Sequence, residues 1–222
     1  MMIQYRRPEK NELKDIAKMS AVTFSDYPMF HEIRDEFSDM DSFIDLMSEV
    51  QHVFLKAYYK NADFFVGEEN GEIKSFAVLI PPHSPKVNIF DYFLSGALKL
   101  LGKTSLRKLL KLANILEEGH GPISEIKEQS WMLEVLAVDK SCRGQRLGTK
   151  MLNDCIIPYI AKQSSGTKPE TFITFTNTEG NQKFYLKNGF TEFDYTTIQR
   201  NGQTIGNWSF RMTIDPAQTA TH

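Results

Sequence analysis

Arg143-Gly144-Gln145-Arg146-Leu147-Gly148-Thr149 lies between an apolar run, Leu133 to Val138, and an amphipathic segment, Leu147 to Lys162. A strand that ends in a turn rich in Gly and Arg and then enters a helix leaves several backbone N–H groups unpaired at the helix start, aimed outward together. The positive end of the helix dipole adds to their pull, and Gly144 and Gly148 let a ligand approach the backbone with no Cβ in the way. Such a turn is an anion site suited to a phosphate or pyrophosphate. Two common phosphate loops fail here. A dinucleotide-binding turn wants G-x-G-x-x-G, a spacing the chain lacks, and a nucleotide P-loop wants G-x-x-x-x-G-K-[ST], whereas only three residues separate Gly144 from Gly148-Thr149-Lys150.

A second stretch lies downstream. Thr174-Phe175-Thr176-Asn177 reads as an alternating strand, and Asn181-Gln182-Lys183-Phe184-Tyr185-Leu186-Lys187-Asn188-Gly189-Phe190 follows it. Together the two stretches resemble the Gcn5-related N-acetyltransferases, the GNAT superfamily, over about Trp131 to Ile214. The family's pyrophosphate loop reads [Q/R]-x-x-G-x-[G/A] after a strand; Arg143 fills its first position and Gly148 its last, while Arg146 replaces the middle glycine and crowds the loop. The family's F-Y-x-x-x-G-F helix is matched by Phe184-Tyr185 and Gly189-Phe190. Trp131-Met132-Leu133 and Asn181 are similar to members of the puromycin N-acetyltransferase type.

Length and composition bound the reading. A chain of 222 residues, 41% hydrophobic, suffices for one single-core domain. We expect that domain over 1–214, with a polar tail over 215–222. A net charge of -2 gives no basic field for nucleic acid. The two cysteines, Cys142 and Cys155, suggest neither a disulfide framework nor a metal site, and a reducing cytoplasm fits them. No secretory signal and no apolar run of about eighteen residues appears, so no stable membrane association is expected; a homodimer is compatible with the composition.

Taken in order, Ile3 to Arg6 reads as a strand. Leu13, Ile16, Ala17 and Val22 mark an amphipathic helix, and Phe43 to Ala57 a second. Asn70-Gly71 joins two strands, Phe64 to Gly67 and Ile73 to Ile80, and Asn201-Gly202 joins a later pair. The expected fold class is α/β, a mixed sheet; the resemblance makes it the GNAT acyl-CoA fold, with splayed central strands and a helical insertion, 87–129, between strands 3 and 4. In the insertion, Phe90, Phe93, Leu94, Ala97, Leu98 and Leu101 form one apolar face, and Leu106, Leu109, Leu110, Ala113 and Leu116 another, beside Lys99, Lys103, Arg107, Lys108 and Lys111. We read it as a flap over the acceptor cleft; a membrane-surface or partner-binding pair is the alternative. In the fourth strand, Met132, Glu134, Leu136 and Val138 should share one face. Pro158 should kink or shorten the helix after the loop.

Glu134 stands out, because a carboxylate on a strand apolar on both sides is costly to bury unless paired or functional. It is the first candidate for general base, ahead of His83 and His120. The resemblance implies acetyl-CoA as donor and direct transfer to a primary amine in a ternary complex. It places the pantetheine arm along Leu136, Ala137 and Val138, with the Leu136 N–H on the acetyl carbonyl and the N–H groups of Arg143, Gly144, Gln145, Arg146, Leu147, Gly148 and Thr149 on the pyrophosphate. Asn177 and Asn181 would bond the arm from the other side. Tyr185 sits where the family protonates the leaving thiolate, and Tyr27 and Phe30 where it contacts the acceptor. A small-molecule amine is the expected acceptor, with a peptide or protein amine, or a non-catalytic acyl-CoA sensor, as alternatives.

Overall fold

In the computed structural model, residues 3–124, 126, 128–164 and 168–215 are described; the expected tail lies outside them from residue 216 on. Strands β1 (Gln4–Arg6), β2 (Asp63–Glu69), β3 (Glu72–Ile80), β4 (Trp131–Val138), β5 (Glu170–Thr176), β6 (Thr191–Arg200) and β7 (Gln203–Ile214) form one sheet in the order β1-β2-β3-β4-β5-β7-β6. Every neighbouring pair is antiparallel except β4 and β5, which run parallel. Asn70 with Gly71, and Asn201 with Gly202, hold positive φ at the two expected hairpin turns. That backbone twist matches the twist of the paired strands.

The helices are α1 (Leu13–Phe24), α2 (His31–Arg34), α3 (Met40–Tyr58), α4 (Ile89–Leu94), α5 (Leu106–Ser124), α6 (Leu147–Lys150), α7 (Ile157–Gln163) and α8 (Glu179–Lys187). Alternate residues of β3 divide the core. Phe76 and Val78 pack with Leu13, Ile16 and Leu55 of α1 and α3, whereas Ala77 and Leu79 pack with Met151, Leu152, Ile156 and Ile160 on the other face. A third cluster joins Met29, Phe30 and Ile33 to Phe43, Met47, Leu112 and Ile115, which seats α5 over the far end of the sheet.

Two features of the centre of the sheet shape the site. First, β4 and β5 pair only at Trp131 with Phe172 and Met132 with Ile173, then part. Second, Val78 lies opposite Val135 but Leu79 opposite Leu133, so Glu134 is one residue too many in β4. This bulge overturns the expected alternation. Leu133 and Leu136 fall on the face of Met151 and Leu152, while Val135 and Ala137 face α1 and α3. An extra residue shifts every later side chain to the opposite face.

The helical reading needs two further corrections. Helix α5 buries Leu112, Ile115, Gly119 and Ile123, spaced three and four apart; of the stripe expected at Leu106, Leu109, Leu110, Ala113 and Leu116, Leu106, Leu110 and Ala113 are exposed, while Leu109 and Leu116 are half-buried, Leu116 against the third cluster. Helix α6 does not end at Pro158 but passes through a π-helical stretch, Met151–Ile156, before α7. Proline lacks the N–H that would close the regular bond four residues back, and one wide turn accommodates that loss.

Candidate active site

The parted strands leave hydrogen-bonding groups without a neighbouring strand. The N–H of Asp139 donates to the Lys74 carbonyl on β3 (2.9 Å). Because an antiparallel ladder alternates, the N–H groups of Ala137 and Val135 also turn toward β3, and those of Leu136 and Val138 turn toward the gap beside β5. A cleft of about 580 Å³ opens on this gap. Leu136, Ala137, Val138, Arg143, Gly144, Arg146, Leu147, Gly148 and Thr149 line it, with Asn181 and Tyr185 across from them. Gln145, expected among them, is exposed and does not border it.

The turn entering α6 has the character of an anion cradle. Its first helical bond runs from Lys150 N–H to the Arg146 carbonyl (2.9 Å), so the N–H groups of Leu147, Gly148 and Thr149 have no earlier turn to bond to. Arg146 adopts a left-handed backbone (φ 60), where the family has glycine. A Cβ at Gly148 would stand 3.2 Å from the Phe184 ring, so this position is kept bare by close packing against α8. Arg143, Arg146 and Lys187 add positive charge around the cleft, and Asp26, which also borders it, is neutralised by Lys140 (2.7 Å).

On the other side of the gap lies a second cavity, of about 120 Å³, walled mainly by Phe24, Met29, Phe30, Met47, Val50, Phe54, Leu112, Leu116 and Phe175, with Gln51, Thr174, Thr176 and Asn177 among its polar lining. Helix α5 forms its roof, tied to β7 by a bond from Asn207 Nδ2 to the Gly119 carbonyl (3.2 Å). Among the described residues the cavity's one acid is Glu134, only 5% exposed at its side chain, with both carboxylate oxygens 3.0 Å from His120 Nε2. His120 Nδ1 is 2.7 Å from the Leu116 carbonyl, so the ring is fixed at both ends. Burial alone would lower the His120 pKa, but the charge of Glu134 and its hydrogen bond outweigh that and lift it to about 9. His120 is thus a helical residue locked to Glu134 and not a solvated loop histidine; His83 is exposed and borders neither cavity.

Phe24, Tyr27, Leu136, Asn181 and Tyr185 border both cavities, so the two meet there. Tyr185 is 6% exposed, wedged among Phe184, Phe190 and Phe210. Burial first of all drives its pKa upward, which keeps the phenolic proton in place at neutral pH. The Tyr27 hydroxyl pairs with Thr176 Oγ1 (2.7 Å) and accepts from the Asn177 N–H (2.9 Å). Asn177 donates its amide to Gly206 and Asn207, and its Oδ1 is buried without a donor among the described residues; it borders the apolar cavity and not the cleft where it was expected.

Residues 112–192 match the family model of the acetyltransferase (GNAT) domain. That segment, a little over a third of the chain, is similar to the GNAT acetyltransferase domain. Solved structures resembling the chain extend its fold well beyond that segment. An acetyltransferase from Corynebacterium glutamicum ATCC 13032, described as histone acetyltransferase HPA2 and related acetyltransferase, aligns with a TM-score of 0.62 at 17% identity, covering 94% of this chain and 96% of its own. An N-acetyltransferase from Staphylococcus aureus Mu50 gives 0.56 at 14% identity, with 97% and 100% covered. An acetyltransferase from Salmonella typhimurium, solved with its cofactor acetyl-CoA, gives 0.53 at 14% identity, with 96% and 94% covered. At these identities the likeness speaks for the fold. No curated protein matches the chain in sequence. The GNAT match begins within α5, so the segment that supplies His120 belongs to it together with β4, the loop and α8.

Proposed function

We propose that the chain transfers an acetyl group from acetyl-CoA directly to the primary amine of a small, largely apolar molecule, the two substrates meeting where the cleft and the cavity join. The observation that carries this reading is the shared border of Phe24, Tyr27, Leu136, Asn181 and Tyr185 between an anion-binding cleft and an apolar chamber holding one carboxylate. The residues fit the donor. The bare N–H groups of Leu147, Gly148 and Thr149, with Arg143 and Arg146, would hold its diphosphate; the outward N–H of Val138 and the Asn181 side chain across the cleft suit an amide-rich arm, whereas Asn177, expected beside it, borders the apolar cavity instead. Acetyl-CoA supplies a thioester carbonyl, and bringing the amine beside it supplies much of the rate through proximity.

The remaining work falls to this chain's groups. The N–H of Leu136 would stabilise negative charge on the carbonyl oxygen, worth roughly 3 kcal/mol for one such donor. Tyr185 keeps its proton for the leaving sulfur. Glu134 with His120 holds the acceptor's ammonium and takes its proton, serving as one acid–base unit whose proton leaves near the pKa of an alkylammonium. A cavity of about 120 Å³ is comparable with the roughly 150 Å³ that accommodates a benzene ring, which suits an arylalkyl or short branched alkyl tail. The roof formed by α5 disfavours an extended peptide.

Release of CoA thiol over a panel of amines tests the proposal. Arylalkylamines and branched alkylamines should turn over faster than amino acids, polyamines or lysine peptides. Faster acetylation of peptides would transfer the function to a protein acceptor, and tight acetyl-CoA binding without turnover on any amine would make the domain a sensor.

A further inference from the structure

Eight of the eleven exposed large hydrophobic side chains among the described residues lie between Ile89 and Leu110. Ile89, Phe90 and Leu94 on α4 are 64–71% exposed, Leu98 follows in a 3-10 turn, and Leu106 and Leu110 continue along the start of α5. Their inward neighbours are already engaged. Ser95 and Leu100 are buried, and Tyr92 lies against Tyr58 near Glu134. The stripe is therefore not core awaiting a lid; the acceptor cavity is roofed by the later part of α5.

Charge follows the same segment. Between Lys86 and Lys111 there are six basic side chains and one acid, Asp91, in a chain of net charge -2. Asp91 is occupied in the cap of α4, where it accepts from the Asn88 N–H (2.8 Å). Lys103, Lys108 and Lys111 pair with Glu49, Glu36 and Glu32, but Lys86, Lys99 and Arg107 have no acidic partner among the described residues.

We infer that this face, from α4 to the first turns of α5, docks on the surface of an anionic phospholipid bilayer. Phe, Leu and Ile projecting from a short helical segment fit the boundary between headgroups and acyl chains, while Lys and Arg stems lie along it with their charges on lipid phosphates. A second copy of the chain fits the face poorly, because two-fold pairing sets the same patch against itself and would gather the Lys99 and Arg107 of both copies into one interface, and lysine is depleted at protein interfaces. No helix among the described residues is long and apolar enough to cross a membrane, so the contact lies at the surface and is reversible. The sequence alone led us to expect no stable membrane association; exposure of the stripe is what changes that reading. The inference stands apart from the proposed reaction.

Vesicle co-sedimentation of the full chain tests it. Vesicles of roughly two parts phosphatidylcholine to one part phosphatidylserine should bind the protein, pure phosphatidylcholine should bind it much less, and added salt should weaken binding. Phe90→Ser with Leu94→Ser, and separately Lys99→Glu with Arg107→Glu, should each reduce partitioning about ten-fold or more, since one basic residue near an anionic surface is worth about five-fold. All four positions are exposed, and unchanged melting temperatures would show that the variants fold. Absent binding to the anionic vesicles, equal binding to both compositions, or binding indifferent to either pair overturns the inference. A dimer that Phe90→Ser with Leu94→Ser dissolves, without vesicle binding, assigns the face to a second copy.

Discussion

At the scale of single residues, Arg146 is the point of tension. Its left-handed backbone costs an L-residue about 1–2 kcal/mol, of which glycine's greater freedom in the unfolded chain would return only part of the gain. Arg146→Gly should therefore raise the melting temperature of the ligand-free protein by about 1–3 °C. The same change should weaken acetyl-CoA binding several-fold, because it removes a cation from the cleft. Melting and titration calorimetry read the two effects separately; unchanged affinity would mean that the guanidinium lies away from the diphosphate. Tyr185→Phe probes the other end of the cleft. It keeps the ring packed among Phe184, Phe190 and Phe210, so acetyl-CoA affinity should hold while turnover falls about a hundred-fold. Equal turnover would remove the hydroxyl from the reaction. Glu134 was conspicuous in the sequence because its strand is otherwise apolar, but its partner was not. His120 sits fourteen positions earlier, and only the docked register of α5 turns it toward the carboxylate.

At the scale of elements, periodicity located strands and helices, the two Asn-Gly turns fixed their hairpins, and the Gly-Arg turn marked where β4 hands over to α6. Which face an element buries was less legible. The bulge at Glu134 is a property of pairing between β3 and β4, invisible in β4 alone. Helix α5 carries two apolar stripes, and the sequence does not say which one meets the sheet. Its seat is chosen instead by Gly119, where a Cβ would come within 3.1 Å of Phe175, and by the bond from Asn207. The choice can be measured. Ile115→Ala, at a position fully buried, should cost about 2–5 kcal/mol in denaturant unfolding, whereas Leu110→Ala on the other stripe should change stability by less than about 0.5 kcal/mol. Equal losses would mean that both stripes are covered.

At the scale of the molecule, the Glu134–His120 pair ties stability to pH and, in the proposed reaction, turnover to pH as well. Folding raises the His120 pKa from 6.5 to about 9, so the folded state binds a proton that the unfolded chain releases. This contribution to stability is fully present below 6.5 and is lost as pH rises through about 9. The proposed reaction runs the other way, since the pair can accept the ammonium proton only after losing its own. Between about 6.5 and 8.5, kcat/KM should rise with pH while stability falls. That window lies below the 9.0 and 10.0 at which cysteine and tyrosine titrate when unfolded, so the half-buried Cys155, Tyr5 and Tyr159, all raised on folding, add their losses only at higher pH. On the acid side, Asp26, Glu36 and Glu49 are lowered by Lys140, Lys111 and Lys103, but these ion pairs are largely exposed and contribute little. Glu134→Gln separates the two effects of the pair. Without the carboxylate, burial is left to push His120 down, so the fall in stability over the window should vanish and the alkaline rise in kcat/KM should move to lower pH or disappear. Urea unfolding and initial rates at matched pH values read both slopes; a stability slope unchanged in the variant would place the titrating group elsewhere.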